Sequence, residues 1–476
     1  VIQYDDAIAT AQAIRSGEVS AREVVEDSIA RLEKHNGVLN VLVAERFEQA
    51  LAEVDAGLAR GPLHGVPTLI KDLGMQVAGL PLTRGSKLWA DDVASVDSEL
   101  VRRYRRAGMV VLGMTNSPEL GKNASTEPLH HGPTRNPWSV AHSSGGSSGG
   151  SAAAVSAGLV PVAHGNDGGG SIRIPAAMCG LFGLKPSRGR ITTYPAPTTL
   201  ASPLSSNHVL SRSVRDSALL LDLTSAPMPG EALAAPTPSV AFGEQASRAP
   251  LSLRIGLATR RADGGVVDPA VVAAVRATAE LCEQLGHVVE ETELAYDAEL
   301  MMSGFGTLMG ASLLADVTHR LAALGRELRG DDLEPFTRML FDHYSATMTP
   351  IQVYDAHAAI QQVGWQLGAM FGQFDLLLTP TLPLPTPELG VLDTSRPEVM
   401  WERGGDYSSF TAVINATGMP AMSVPCGGLG RRGYDDAAGL PLGAHFVAPL
   451  GAEGTLLSLA HQLELAAPWP LLAPTS

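Results

Sequence analysis

Ser143-Ser-Gly-Gly-Ser-Ser-Gly-Gly-Ser151 is followed, after one short apolar segment, by Asn166-Asp-Gly-Gly-Gly-Ser-Ile-Arg-Ile-Pro175. Glycine admits positive φ and lets backbone approach a ligand closely. Two such clusters, each carrying serines, gather hydroxyls and free backbone N–H groups into one small space. A flexible linker has a similar composition. A linker does not run straight into Ala152-Ala-Ala-Val-Ser-Ala-Gly-Leu-Val-Pro-Val162, which reads as a buried helix and then a short strand. The glycine clusters therefore read as folded active-site backbone.

Working towards the N-terminus, Gly61-Pro-Leu-His-Gly-Val-Pro67 reads as a tight turn, and Thr68-Leu-Ile as a short apolar strand that delivers Lys71 beside Asp72. A lone lysine is usually solvated, yet one carried by a buried strand is a functional candidate. Ser20-Ala-Arg-Glu23 is a capping box opening a helix that ends near Asn36-Gly37, and a second helix is expected from about Glu45 to Leu58. Asp97 to Ala107 reads as a helix with a solvated basic face, and Gly108 to Gly113 as a buried parallel-type strand.

Working towards the C-terminus, Pro195 to Ser206 is a Pro- and Ser-rich segment placed to fold over the site, and Leu210 to Asp222 reads as a polar cap and a buried helix. Leu253 to Ala258, a helix opened by Asp268-Pro269, and Gly286 to Glu290 form a β-α-β unit, so the sheet continues through the chain. Residues 298–372 are mostly helical and rich in Met, Leu and Ala. Asp375–Thr381 and Leu440–Val447 are expected as strands, Phe410–Thr417 followed by Gly418–Pro425 as helix, turn and strand, and Glu453–Leu465 as a closing helix. The fold class expected is α/β, with one large mixed twisted sheet covered on both faces by helices.

Several motifs together carry a resemblance. Gly145-Gly-Ser-Ser-Gly-Gly-Ser-Ala-Ala-Ala, then Asp167-Gly-Gly-Gly-Ser-Ile-Arg-Ile-Pro-Ala, then Cys179-Gly-Leu-Phe-Gly-Leu-Lys-Pro-Ser187 are similar to the signature of the amidase signature family, which hydrolyses amide C–N bonds with a Ser–Ser–Lys triad. The resemblance is dense from about residue 61 to 190. It implies one amidase domain over 1–476, with a signature core at about 61–220 and a helical substrate-pocket insertion at about 298–372. The overall flavour looks like the bacterial subgroup of nylon-oligomer cyclic dimer hydrolases and aryl-amide or urethane hydrolases.

By that resemblance, Ser171 is the nucleophile, Ser147 a proton relay and Lys71 the base. An amide carbonyl is a poor electrophile, and a serine hydroxyl needs a base to attack it. Ser–Lys arrangements are an alternative to Ser–His–Asp. The lysine must then be neutral, its pKa lowered by burial from about 10.4. The resemblance also implies a cis Gly146–Ser147 peptide. The backbone amides of Gly168, Gly169, Gly170 and Ser171 form the expected oxyanion hole, as successive N–H groups in such a turn make an anion-binding nest. The family commonly carries a side chain where Gly168 stands, so extra room is expected beside the acyl carbon. Asn123, Ser125 and Gly146 are candidate substrate contacts. Asp167 is expected to order the turn, Arg173 to pair internally and Lys185 to be structural. His142 and His164 sit in no Gly-x-Ser-x-Gly elbow, so a histidine base is disfavoured.

Composition sets the surroundings. The 476 residues carry 34 basic and 49 acidic side chains, a net charge of −15. That charge disfavours nucleic acid and anionic membrane as partners. No apolar run is read as approaching the roughly 20 residues that span a bilayer, and the first residues show no signal-peptide pattern. Cys179, Cys282 and Cys426 match no metal or disulfide spacing. A cytoplasmic setting, no metal, no cofactor, a small-molecule amide as partner and a homodimer as the assembly to test complete the expectation. The alternatives are the glutaminase subunit of a tRNA-dependent amidotransferase, an esterase, and a non-catalytic binding protein on the same fold.

Overall fold

The computed structural model describes residues 2, 4–196, 201, 203–426 and 438–474. Its strands, in chain order, are β1 Leu42–Glu45, β2 Pro67–Lys71, β3 Val110–Thr115, β4 Arg135–Asn136, β5 Ser139–Ser143, β6 Val162–Asp167, β7 Phe182–Lys185, β8 Ser206–Ser211, β9 Arg254–Leu257, β10 Val288–Glu291, β11 Leu376–Pro380, β12 Ala421–Pro425 and β13 Gly443–Val447. Eleven of them form one sheet in the order β1-β3-β2-β6-β8-β7-β12-β13-β11-β9-β10, and β4 with β5 make a separate hairpin. Pairing is mixed, as expected. β2 runs parallel to both β3 and β6, whereas β8 lies antiparallel between β6 and β7. Every residue of β2, β3 and β6 is buried, as a sheet covered on both faces requires.

The helix Gly149–Ser156 covers this sheet with Ala152, Ala153, Ala154 and Val155, all wholly buried. Such small side chains let the helix backbone lie close to the strands. The caps read from the sequence are present. Ser20 and Glu23 close a reciprocal capping box, and the side chains of Asp268 and Ser213 accept backbone N–H groups of the helices they open. The β-α-β unit is also present, with β9 and β10 parallel at the far edge of the sheet.

Some boundaries differ, for physical reasons. The first capped helix runs on to Leu39, because Asn40 takes the left-handed cap at φ 52° and Asn36 instead pins the backbone of Leu42. Glu45 ends β1 and does not open a helix; the following helix is Phe47–Ala56. β7 and β8 are strands that the sequence does not announce. Their apolar stretches are short and sit among catalytic-type motifs and caps, so nothing in their period marked them. The basic helix Glu99–Arg106 is not uniformly solvated either: Arg103 is buried against Glu99 and the Thr224 carbonyl.

The 298–372 region forms the helices Ala298–Leu324, Pro335–Thr347 and Pro350–Ala369. The first corrects the reading that no apolar run approaches membrane-spanning length. It has 27 residues and is long and apolar enough, by length and composition, to cross a membrane. It is tied to the rest of the chain through Asp316 with Arg84, and through Arg320 with Asp91 and the Leu88 carbonyl. Of the Pro195–Ser206 segment, residues 197–200 and 202 lie outside the described residues.

Candidate active site

The register of β2 with β6 pairs Leu69 with Ala163. Beyond that pair β2 ends two residues on, in Lys71, and β6 four residues on, in Asn166-Asp167. Side chains at the carboxyl ends of neighbouring parallel strands face a common crevice in open α/β sheets. The glycine-rich segments close over that edge.

Lys71 is wholly buried. Its Nζ lies 2.6 Å from Ser147 Oγ and 2.6 Å from Asn166 Oδ1. The Asn166 amide nitrogen donates to the Leu73 carbonyl at 2.8 Å, which fixes its oxygen towards the lysine. Burial pushes the Lys71 amine well below its ordinary range, against the opposing pull of the Asp167 and Asp72 carboxylates. The Gly146–Ser147 peptide is cis. Gly146 is obligatory for space: a Cβ there would lie 2.6 Å from the Asn123 carbonyl and 2.7 Å from the Ser125 nitrogen.

Ser171 stands next to this pair. Its carbonyl accepts the Ser148 N–H at 3.3 Å, so the two serine segments are stitched together. Its residue is half-buried, as are Gly168 and Gly169, whereas Gly170 is buried. Among the described residues, no protein acceptor is found for the N–H of Gly168, Gly169 or Ser171. Gly170 differs from the expectation for an oxyanion donor, since its N–H donates to Asp167 Oδ1 at 2.7 Å. That amide shapes the turn. Gly170 also has φ +129°, and a Cβ there would collide with Thr411 and with Ile174 Cδ1 at 2.7 Å.

Asp167 is the organiser of the turn. Its carboxylate accepts from the backbone of Gly170 and Ile172, from Arg173 Nε and Nη2 at 2.9 Å each, and from Asn415 Nδ2 at 2.9 Å. Burial alone would raise its pKa, but the Arg173 charge and these donors outweigh it and hold it well below the usual carboxylate range. Arg173 continues to His445 Nε2 at 2.9 Å, the Thr411 carbonyl and Asn415 Oδ1. It pairs internally, as the sequence suggested. Lys185 is buried with its Nζ on the Pro186 carbonyl, and burial pushes it down to about 7.

The candidate substrate contacts are placed differently. Ser125 is fully buried, and its hydroxyl is engaged by Glu127 at 2.5 Å and Ser143 at 2.7 Å. Asn123 donates to the Leu392 carbonyl at 2.8 Å and accepts the Ser125 N–H. Both side chains are engaged within the protein, and the backbone of both residues packs against Gly146. His164 is buried beneath Lys71: its Nδ1 accepts the Lys71 backbone N–H and its Nε2 faces Asn207. Burial first, then the lysine charge, pushes it down to about 3, so it is neutral. His142 is engaged with Ser139 on the hairpin.

Two residues at this edge escaped the sequence reading. Asn166 was visible only as the first letter of a motif, and nothing in a single sequence says that its amide meets a lysine 95 residues away. Gly121 sits in a polar stretch, Thr115 to Glu127, that carries no local signal of a contact with Ser147. A Cβ there would lie 3.1 Å from Ser147 Oγ, so the 3₁₀ turn Glu119–Gly121 presses on the relay candidate. Glu119, at the other end of that turn, lines a cavity of ≈ 570 Å³ together with Lys87, His130 and Glu334.

The chain matches the Amidase family over residues 23–457 and belongs to it; it is an amidase-family hydrolase of amide C–N bonds. It is 37% identical to the 6-aminohexanoate-cyclic-dimer hydrolase of Paenarthrobacter ureafaciens over 495 residues, covering 99% of this chain and 96% of that one. The structure of a 6-aminohexanoate cyclic dimer hydrolase complexed with substrate superposes with a TM-score of 0.90 at 36% identity, covering 98% of this chain and 97% of that one. A bacterial aryl acylamidase of the amidase signature family superposes with a TM-score of 0.87 at 28% identity, again covering 98% and 97%.

Proposed function

We propose that the chain hydrolyses carboxylic amides through an acyl-enzyme on Ser171, with Ser147 as proton relay and Lys71 as base. The observation that carries this reading is a wholly buried lysine amine 2.6 Å from Ser147 Oγ, in the segment stitched to Ser171. The neutral amine takes the Ser147 proton as Ser147 takes that of Ser171, whose oxygen then attacks the carbonyl carbon. Charge developing on the carbonyl oxygen is met by the N–H groups of Gly168, Gly169 and Ser171, each such donor contributing about 3 kcal/mol. The lysine proton returns through Ser147 to the departing nitrogen. Water repeats the attack on the ester and frees Ser171.

Oligoamides, anilides and carbamates are the proposed substrate classes. Support for oligoamides and anilides comes from the names of the similar proteins, and the room for a bulkier substrate from Gly168, where an added Cβ would meet nothing within 4 Å. The test is labelling with a fluorophosphonate followed by peptide mapping, alongside S171A. The adduct is expected on Ser171, and S171A is expected to lose at least about 10³-fold in kcat with an unchanged melting temperature. An adduct on Ser147, or near-normal turnover by S171A, overturns the assignment.

A further inference from the structure

Lys122 follows Gly121 directly, one residue beyond the turn that presses on Ser147. Its Nζ donates to the Met309 carbonyl at 3.3 Å and lies 3.8 Å from the Met309 sulfur. An ammonium group has three donors, and these two neutral acceptors, one a weak thioether, do not balance a positive charge. Among the described residues, no carboxylate lies within ion-pair distance of it. The acid that most favours its charge, Asp316, is itself paired with Arg84 at 3.5 Å. Burial pushes the amine down to about 8, which leaves it mostly protonated at pH 7.

The position of this cation relative to the reacting edge follows from helix geometry. Met309 and Phe305 are four residues apart on Ala298–Leu324 and so share one face, about 6 Å from each other. Phe305 Cζ would lie 3.2 Å from a Cβ on Gly169, in the turn that carries Ser171. One face of one helix therefore touches both the oxyanion turn and the Lys122 ammonium. A half-buried charge beside a reaction centre, with no counter-ion of its own, is costly unless a ligand supplies one.

We propose that Lys122 is a specificity-determining residue that binds a carboxylate carried by the substrate, so that the preferred amides bear a free acid at some distance from the scissile bond. This rests on the amide-hydrolase reading of the same edge and deepens it. Half-amides of dicarboxylic acids would place the acid on the acyl side. Amides of ω-amino acids would place it on the amine side.

The test compares the wild-type chain with K122Q, which keeps a donor for Met309 and removes the charge, and K122R, which keeps the charge. Hydrolysis of neutral 4-nitroacetanilide, of the mono-4-nitroanilide of glutaric acid and of N-acetyl-6-aminohexanoate is measured, together with calorimetric binding of hexanoate. K122Q is expected to raise KM about tenfold for at least one acid-bearing substrate with kcat kept. It is expected to change KM for the neutral anilide less than about twofold and to weaken hexanoate binding about tenfold, while K122R keeps wild-type behaviour. Equal effects of K122Q on neutral and acidic compounds, or none on either, overturn the proposal. Hexanoate binding that depends on Lys122 in a chain that hydrolyses none of the three amides upholds the carboxylate site and counts against the amide-hydrolase mechanism instead.

Discussion

At the scale of the residue, the chemistry turns on where one proton sits. The Lys71 amine is hydrogen-bonded to the Ser147 hydroxyl and the Asn166 carbonyl oxygen, and its charge is set by burial and by the more distant carboxylates of Asp167 and Asp72. Burial outweighs the carboxylates, so the amine is neutral over a wider pH range than a free lysine. In the proposed mechanism only the neutral form takes a proton, so activity is expected to fall as pH drops through the lowered pKa. N166D would put a carboxylate within contact of Nζ and raise that pKa by at least about one unit. Its acid limb should move to higher pH, and its rate at a pH below the limb should drop about tenfold or more. A kcat/KM profile for N166D that overlays the wild type would show that the lysine is not the base.

At the scale of the element, the turn from Asp167 to Arg173 and the turn Glu119–Gly121 hold the two serines from opposite sides. The first depends on a buried ion pair. Removing Arg173, as in R173M, strands the Asp167 carboxylate in a dry interior and should cost about 3–5 kcal/mol, seen as a large drop in melting temperature. The second turn carries Glu119, which is 2% exposed and is pushed up to about 7, by burial first and then by the nearby Glu334. A carboxyl raised in the folded state favours folding below its unfolded pKa of about 4.5, and that contribution fades as pH rises through about 7. Because E119Q does not titrate, its stability relative to wild type should improve between pH 5 and pH 8 by on the order of 1–3 kcal/mol. Parallel denaturation curves at the two pH values would refute the shift.

At the scale of the whole molecule, one sheet of eleven strands links β2, which ends in Lys71, to the edge strand β10. The hydrophobic residues of β2 and β6 divide between two buried clusters, and those of β12 and β13 between the first of these and a third that includes the helices Ala298–Leu324 and Pro350–Ala369. The apolar helix Ala298–Leu324 is held against this body by its packing on Pro350–Ala369 and by its ion pairs. With a net charge of −15, the folded chain is expected to stay in the lower fraction when floated with anionic vesicles at physiological salt. Flotation of the intact protein would mean that this helix leaves the body to enter lipid.

The sequence by itself determined whatever rests on local chemistry. The glycine and serine clusters, the capping residues at Ser20, Ser213 and Asp268, and the mixed α/β pattern all follow from φ preferences, hydrogen-bonding reach and apolar period, which act over a few residues. The tertiary structure decided whatever needs distant segments to meet. It used Asn166 to hold the Lys71 amine and consumed the Gly170 amide in shaping the turn. It turned Asn123 and Ser125 into supports, and it wedged β8 antiparallel between β6 and β7. The reason is that a polar side chain looks the same in a sequence whether its partner is water, a neighbour or a residue a hundred positions away. Only the fold, by removing water from that edge, forces each donor and acceptor to declare one partner.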